Sequence, residues 1–209
     1  MKKITIVDYG SGNVLSTQKS FIKIAKDNNI DVDVLISKKL NDVKDSTHVV
    51  LPGQGAFSTC MNGLKKTDGL IDELREFALI KKKPFLGICV GMQMLGKTSE
   101  ENGVHEGLGW IDGQIKLLPG DKLKLPHMGW NLAIPTNSKY NKLISNKNDY
   151  YFVHSYYFHC AQKDNILAET KYGINFASIV GKENIYGVQF HPEKSSSQGL
   201  NLIKNFLNL

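Results

Sequence analysis

Apolar residues follow two alternating patterns over the first half of the chain. Short, largely apolar runs predict strands, whereas longer stretches with apolar residues three or four positions apart predict helices. In residues 70–82, for example, Leu70, Leu74 and Phe77 recur at helical spacing. The predicted strands are residues 3–9, 31–36, 47–51 and 84–88, and the predicted helices are residues 14–28, 56–65 and 70–82. This alternation is typical of an α/β fold whose mostly parallel sheet is flanked by helices.

From Gly107 onward the pattern changes to short strands separated by glycine and proline. We predict strands at residues 113–117, 132–135, 150–158, 165–170, 176–180 and 185–190. A serine-capped helix over residues 195–209 would pack Ile203 and Phe206 on the sheet. Residues 124–131 are predicted to be a connecting loop, and its large side chains suit either an interface or core packing equally well.

Length and composition limit the class of protein. With 209 residues, of which 41% are hydrophobic, the chain suits one compact domain over residues 1–209. It has no apolar run long enough to cross a bilayer, and we therefore expect a cytoplasmic protein with no membrane contact. Cys60, Cys89 and Cys160 are odd in number and lack short metal-ligand spacing, so neither a disulfide framework nor a metal site is expected.

The formal charge of +6 raises the question of nucleic-acid binding. Arg75 is the only arginine among 26 basic residues, and arginine forks make most specific contacts with bases and phosphates. The lysines are scattered, apart from a short run at residues 81–83 that suits a solvated loop. We therefore expect no nucleic-acid partner.

A glycine-rich turn at residues 10–13 follows the first strand, where a nucleotide cofactor could bind. The third glycine of the dinucleotide fingerprint is missing, because position 15 is Leu15. The lysine and hydroxyl residue of a phosphate-binding loop are missing as well. No cofactor is therefore predicted.

The first candidate for chemistry is Cys89, which lies where a buried strand breaks into a helix. Gly87 and Gly91 flank it in the pattern G-x-C-x-G, the thiol counterpart of the strand-turn-helix elbow that presents a nucleophilic serine. The start of a helix favours a thiolate, the reactive form of cysteine. A buried structural cysteine is the alternative, and the motif alone does not decide between the two.

The second candidate is a histidine and a carboxylate after the strand at residues 185–190. His191 and Glu193 point to the same side of an extended segment, and Pro192 stiffens the link between them. His191 could accept the thiol proton and later donate it to a leaving amine, while Glu193 fixes the tautomer of the ring. A capped turn after a strand would be the alternative if Cys89 were absent.

Together these motifs resemble the triad type of class I glutamine amidotransferase. Within that family the chain is similar to the glutaminase subunits of imidazole glycerol phosphate synthases. The resemblance depends on residues 87–93 and 189–195, and on four further motifs at residues 8–13, 52–57, 126–131 and 151–156. It implies a three-layer, flavodoxin-like fold and the hydrolysis of glutamine by Cys89, His191 and Glu193.

The resemblance also implies roles for residues around the triad. The backbone amides of Gln54 and Val90 would stabilise the oxyanion, and Gln54 stands where we expect valine in these subunits. Substrate binding is assigned to Gly53, Gln93, Glu101, Ser155 and Tyr156, and the partner interface to Asn13, Trp130 and Lys194. For Glu101, a surface carboxylate near a helix end remains the competing interpretation.

The implied partner is a (β/α)8-barrel cyclase subunit that forms a heterodimer with this chain. It would consume the ammonia released from L-glutamine in histidine biosynthesis. One alternative is a glutaminase that serves another synthase, which aminates a nucleotide-sugar or a pyridoxal precursor. The other is a non-catalytic subunit that only binds and regulates a partner.

Overall fold

The computed structural model describes residues 1–120 and 123–209 and contains an extended sheet with helices on both faces. The helices are α1 Val14–Asp27, α2 Leu40–Asp45, α3 Phe57–Lys65, α4 Leu70–Arg75, α5 Val90–Gln93 and α6 Ser196–Leu207. The strands are β1 Lys2–Val7, β2 Val32–Ser37, β3 His48–Gly53, β4 Phe85–Cys89, β5 Thr98–Ser99, β6 His105–Glu106, β7 Gly113–Leu117, β8 His127–Pro135, β9 Asn148–His154, β10 Tyr156–Cys160, β11 Ile166–Tyr172, β12 Ile174–Lys182 and β13 Ile185–Val188.

The strand order explains how distant parts of the chain meet. Along the main path the order is β2-β1-β3-β4-β13-β12-β10-β7-β5-β6, and β11, β8 and β9 continue from β12. Strands β2, β1, β3, β4 and β13 pair in parallel, whereas β12 pairs antiparallel with β13. Because β3, β4 and β13 are parallel neighbours, their carboxyl ends lie at one edge, where ligands bind in open α/β sheets.

Helices cover both faces of this parallel part. The chain moves outward from β1 to β2 and then back past β1 to β3 and β4, so right-handed crossovers place α1 opposite α2, α3 and α4. Helix α1 packs against α6, where Phe21 and Phe206 meet edge to face with centroids 6.2 Å apart. The three-layer α/β architecture predicted from the sequence is confirmed.

The structure corrects several element boundaries. The predicted loop at residues 124–131 is largely strand, because β8 begins at His127 and pairs with β9. The predicted strand at residues 150–158 is two strands that meet at a bend at Ser155. Helix α4 continues as a π-helical turn over residues 76–80, and α2 was not predicted.

The serine cap predicted for the last helix is wrong. The Ser195 side chain makes no cap hydrogen bond to α6. Its hydroxyl instead donates to the carbonyl oxygen of His191 at 2.6 Å and accepts the amide of Tyr151 at 3.0 Å. Ser195 therefore braces the segment that carries His191.

Within residues 1–120 and 123–209, no helix has the length and apolar character that crossing a membrane requires. In the same ranges no three histidine, cysteine or acidic side chains gather in a way that could hold a metal ion.

Candidate active site

Cys89 lies at a sharp corner between β4 and α5. Its backbone has φ 55° and ψ −112°, a conformation that is strained for a residue with a Cβ. A Cβ on Gly87 would lie 2.5 Å from the carbonyl oxygen of Gly91, and a Cβ on Gly91 would lie 1.8 Å from that of Leu51. Both glycines are therefore required by close packing, because no side chain fits between α5 and strands β3 and β4.

The neighbouring strands bring backbone and side chains to this corner. In the parallel register Gly53 of β3 lies opposite Cys89, and Val188 of β13 lies opposite Ile88. A Cβ on Gly53 would lie 2.5 Å from the amide nitrogen of Gly91. The sheet thus places Gly53 on one side of the thiol and the segment leading to His191 on the other.

His191 and Glu193 form a buried pair beside the thiol. The imidazole Nδ1 lies 2.9 Å from Oε1 of Glu193, and the two side chains are 5% and 1% exposed. Burial by itself lowers the pKa of His191, but hydrogen bonds and negative charge from Cys89 and Glu193 outweigh it and raise the pKa to about 10. The ring therefore holds a proton beside the sulfur at neutral pH.

The amide side chains of Gln93 and Gln189 form a series of hydrogen bonds that reaches the thiol. Gln93 Nε2 donates to the Tyr156 carbonyl at 3.0 Å and to Gln189 Oε1 at 3.1 Å, and Gln189 Nε2 points at the Cys89 sulfur at 3.8 Å. A backbone carbonyl can only accept, so the Gln93 side-chain nitrogen must face Tyr156. That nitrogen also donates to the Gln189 oxygen, so the Gln189 nitrogen must face Cys89. Gln189 is thus a donor to the sulfur, a contact that we did not predict.

A cleft of about 280 Å³ opens over these groups. That volume lies near the lower end of the range for ligand pockets, about 300–1,000 Å³, and suits a small substrate. The predicted site residues that line it are Gln54, Cys89, Val90, Gln93, Glu101, Ser155, Tyr156, His191 and Lys194. Glu193 lies behind His191, while Gly53 is buried beneath the cleft floor.

The two amides predicted to stabilise the oxyanion differ in their present partners. Val90 begins α5, so its N–H has no acceptor within the helix. The Gln54 amide, in contrast, points at the hydroxyl of Ser11 at 3.4 Å, and that hydroxyl donates to the Gln54 carbonyl at 2.6 Å. The Tyr9 hydroxyl donates to the carbonyl oxygen of Pro52, the residue before Gly53, at 2.6 Å. Two side chains that we did not predict therefore restrain the loop at Gly53 and Gln54.

The side chains predicted to bind substrate already have contacts within the protein. Both amide hydrogens of Gln93 are donated, so this side chain can offer a substrate only its oxygen. A Glu101 carboxylate oxygen accepts the Phe57 amide at 2.7 Å at the start of α3. Both groups are acceptors and suit a substrate ammonium.

Ser155 and Tyr156 form the opposite wall, at the bend between β9 and β10. The Ser155 carbonyl accepts the Leu118 amide at 2.9 Å, and the Tyr156 carbonyl accepts Gln93 and His154. Their carbonyls are occupied within the protein, so their N–H groups are the ones suited to a carboxylate.

The predicted interface residues are all at least partly exposed. Lys194 is exposed at the cleft rim, and Asn13 is half-buried at the start of α1. Trp130 is 55% exposed and meets Tyr151 edge to face, with the ring centroids 6.2 Å apart.

One of the unpredicted residues had a signal in the sequence. Gln189 precedes His191 by two positions, and alternation along an extended segment places both on the same side. Tyr9 and Ser11 lie in the recognised motif at residues 8–13, but no pattern in it indicates their contacts, because their partners are main-chain atoms of the distant 52–54 loop.

Comparison with known proteins agrees with this geometry. The family model described as glutamine amidotransferase class-I matches residues 5–209. The chain is 47% identical over 209 residues to the imidazole glycerol phosphate synthase subunit HisH of Pelagibacter ubique, and the alignment covers 99% of both proteins. It is 42% identical over 210 residues to the HisH subunit of Rhodospirillum rubrum, covering 98% of both. A crystal structure titled glutamine amidotransferase shares the fold, with a TM-score of 0.72 at 15% identity and coverage of 98% of this chain and 97% of that one. The chain therefore belongs to the class-I glutamine amidotransferase family and, within it, groups with the HisH subunits of imidazole glycerol phosphate synthase.

Proposed function

We propose that this protein is the glutaminase subunit of an imidazole glycerol phosphate synthase and hydrolyses L-glutamine to glutamate and ammonia. The observation that carries the proposal is the cleft in which Cys89 meets the buried His191 and Glu193 pair. Residues 1–209 would act as one glutaminase domain. A cytoplasmic location is supported by three free cysteines, Cys60, Cys89 and Cys160.

In the first half-reaction the Cys89 thiolate attacks the side-chain amide carbon of glutamine. The main-chain amides of Val90 and Gln54 hold the negative oxygen of the tetrahedral intermediate, and the Gln54 amide, which now points at Ser11, requires reorientation. His191 then protonates the departing nitrogen. The carbon–nitrogen bond breaks, ammonia leaves, and a glutamyl thioester remains on Cys89.

In the second half-reaction the thioester is hydrolysed. His191, now neutral, accepts a proton from water as the water attacks the thioester carbon. The carbon–sulfur bond breaks, glutamate leaves, and the thiolate and imidazolium are restored. Glu193 keeps the ring oriented and stabilises its charge through both steps.

The substrate backbone would be held at the two ends of the cleft. The oxygens of Gln93 and Glu101 suit the ammonium group, and the N–H groups of Ser155 and Tyr156 suit the carboxylate. This arrangement directs the side-chain amide of glutamine toward Cys89.

The partner would be a (β/α)8-barrel cyclase subunit in a heterodimer. Ammonia is lost to protonation in water, so the enzyme that uses it must receive it locally. Met128 and Trp130 are 62% and 55% exposed at alternate positions of β8, so they present apolar surface on one face of this strand. Together with Asn13 and Lys194 they are the proposed interface.

The proposal is tested by assaying the purified chain with a candidate cyclase and its nucleotide substrate. Glutamine should support formation of imidazole glycerol phosphate in the complex, and ammonium salts should support it with the cyclase alone. If this chain released ammonia from glutamine but supported a different synthase, the glutaminase assignment would stand and the partner assignment would be wrong.

The contact between Ser11 and Gln54 gives a prediction about partner-free activity. As observed, the Gln54 amide points at Ser11, so we expect low glutaminase activity until the partner reshapes this loop. Ser11→Ala removes a hydrogen bond worth roughly 1 kcal/mol and should raise partner-free kcat by about 3- to 10-fold. Measured glutamate release by the isolated chain checks this.

Ser138→Ala is the matched control, because its hydroxyl also bonds a backbone carbonyl, that of Asp164, on a different surface. This control should leave the rate unchanged. Partner-free activity in Ser11→Ala at or below that of the parent chain would show that Ser11 does not restrain the oxyanion loop.

A further inference from the structure

Three polar side chains form a continuous line of hydrogen bonds that ends at His154, in the wall of the cleft. Asn131 Nδ2 lies 3.1 Å from His127 Nε2, and His127 Nδ1 lies 2.9 Å from His154 Nε2. His154 Nδ1 lies 2.8 Å from the carbonyl oxygen of Tyr156. The line thus runs from β8 to the wall of the cleft, and none of these side chains has a role in the proposed reaction.

The Tyr156 carbonyl, at the inner end of the line, determines which atom donates in every hydrogen bond of the line. Burial lowers the pKa of His127 to about 4. Burial, only partly offset by the hydrogen bond to Tyr156, lowers that of His154 to about 3. Each neutral ring has one donor and one acceptor. Since the Tyr156 carbonyl can only accept, His154 Nδ1 donates to it, His127 Nδ1 donates to His154, and Asn131 donates to His127.

The rings themselves are tightly held. His127 is 3% exposed and stacks between Phe152 and Tyr172, with centroids 4.9 and 4.1 Å away. An apolar ring would fill the same space, and burying polar groups is unfavourable unless they are hydrogen-bonded. Packing alone therefore does not explain why two directional side chains occupy this cluster.

The inner end of the line holds a peptide group that adjoins the substrate site. The Tyr156 carbonyl receives two donors, His154 Nδ1 at 2.8 Å and Gln93 Nε2 at 3.0 Å. These bonds fix the peptide group between Tyr156 and Tyr157, which adjoins the peptide group that carries the Tyr156 N–H at the bend from β9 into β10. The N–H groups of this bend are those that suit the substrate carboxylate.

The outer end lies at the surface of β8. Asn131 Nδ2 also donates to the Lys171 carbonyl at 3.1 Å, and Asn131 Oδ1 accepts the Leu132 amide at 2.8 Å. The side chain is therefore locked in one orientation, next to the exposed Trp130.

We infer that Asn131, His127 and His154 are positioning residues that hold the Ser155 and Tyr156 amides in place for the carboxylate of glutamine. This inference deepens the proposed function and rests on it. None of the three side chains hydrogen-bonds to Cys89, His191 or Glu193. They extend from the exposed face of β8 to the carboxylate end of the cleft.

The test compares His127→Phe with His127→Gln in the complex with the cyclase. Phenylalanine keeps the stacking of the ring but removes both of its hydrogen bonds. We expect KM for glutamine to rise roughly 10-fold and kcat to stay within about 3-fold of the parent value. The reason is that weaker binding of the carboxylate affects the ground state and the transition state alike. Glutamine can donate and accept in the same direction, so His127→Gln should restore KM. Tyr172→Phe is the matched control, because its hydroxyl bonds the Lys124 carbonyl outside the line.

A second readout separates positioning from general disorder. A chloroketone analogue of glutamine, which carries the carboxylate, should alkylate Cys89 roughly 10-fold more slowly in His127→Phe. Iodoacetamide, which lacks a carboxylate, should react at an unchanged rate. Equal slowing with both reagents, or an unchanged KM, would overturn the inference.

Asn131→Asp provides an isosteric variant at the outer end if His127→Phe does not fold. The introduced carboxylate only accepts, so the His127 proton would move to Nε2 and two bare ring nitrogens would face each other. KM for glutamine should rise in this variant too, and an unchanged value would contradict the inference. If the chloroketone failed to label Cys89 in the parent protein, the proposed function itself would be wrong, and the inference with it.

Discussion

Cys89→Ala is expected to lower kcat for glutamine hydrolysis by about 10⁴- to 10⁶-fold, the range for removal of a covalent nucleophile. Without the sulfur no thioester forms, and His191 has no neighbouring nucleophile to activate. The fold should persist, because alanine keeps the Cβ and loses one buried atom. Glutamate release by the complex and far-ultraviolet circular dichroism measure the two effects.

Two further variants test whether the loss of activity is specific to the Cys89 sulfur. Cys160→Ala removes another thiol, well away from the cleft, and should retain full activity. Cys89→Gly should be as inactive as Cys89→Ala but unfold at a higher temperature, because glycine relieves a strain of about 1–3 kcal/mol at φ 55°. Undiminished glutamine hydrolysis by Cys89→Ala would refute the assignment of the nucleophile.

Gly91→Ala is expected to destabilise the protein by at least about 3 kcal/mol, beyond the usual effect of an overpacked core. The added methyl would lie 1.8 Å from the Leu51 carbonyl oxygen, in a central strand that cannot move independently. Relief requires α5 to shift away from β3, which also displaces Cys89 and the Val90 amide. We therefore expect a melting temperature lower by roughly 6–12 °C and loss of glutaminase activity.

Gly109→Ala is the control for this substitution. Gly109 has φ +68°, and a methyl group added there would have no heavy atom within 4 Å, so alanine adds backbone strain without a clash. Its effect should be about 1–2 kcal/mol, with activity retained. If Gly91→Ala melted no lower than Gly109→Ala, α5 would not be held against β3 by close contact.

The sequence was most informative where one element has one strong periodicity. The buried strands around Ile4, Val50 and Ile88 and the helix containing Phe21 were predicted within a few residues, since their burial matches their hydrophobic pattern. Residues 124–131 misled us because burial does not follow hydrophobicity in this part of β8, where Met128 and Trp130 are exposed and the polar His127 is buried. The short helix α2 carries one buried residue, Val43, too few for a periodic signal.

In the candidate site, too, some residues could be predicted from the sequence and others could not. Cys89, His191 and Glu193 could be identified because their side chains carry chemistry and their flanking residues form recognisable motifs. Their catalytic roles remain predictions, whereas family membership and the glutaminase function are confirmed by the full-length relatives. The restraints on the site depend instead on contacts with backbone atoms that no local pattern encodes, such as Ser11 with Gln54 and Gln93 with Tyr156.

The pairing of β13 with β4 has a consequence for biosynthesis of the protein. Gln189 and Cys89 are in contact although 100 residues separate them, and such distant pairings form late and slowly in folding. A nascent chain that has emerged from the ribosome only as far as β12 carries Cys89 without its histidine. With the roles proposed for Cys89 and His191, unfinished or prematurely terminated products would present an unactivated thiol, and ammonia production would begin only once the segment from Ile185 to Glu193 has joined the sheet.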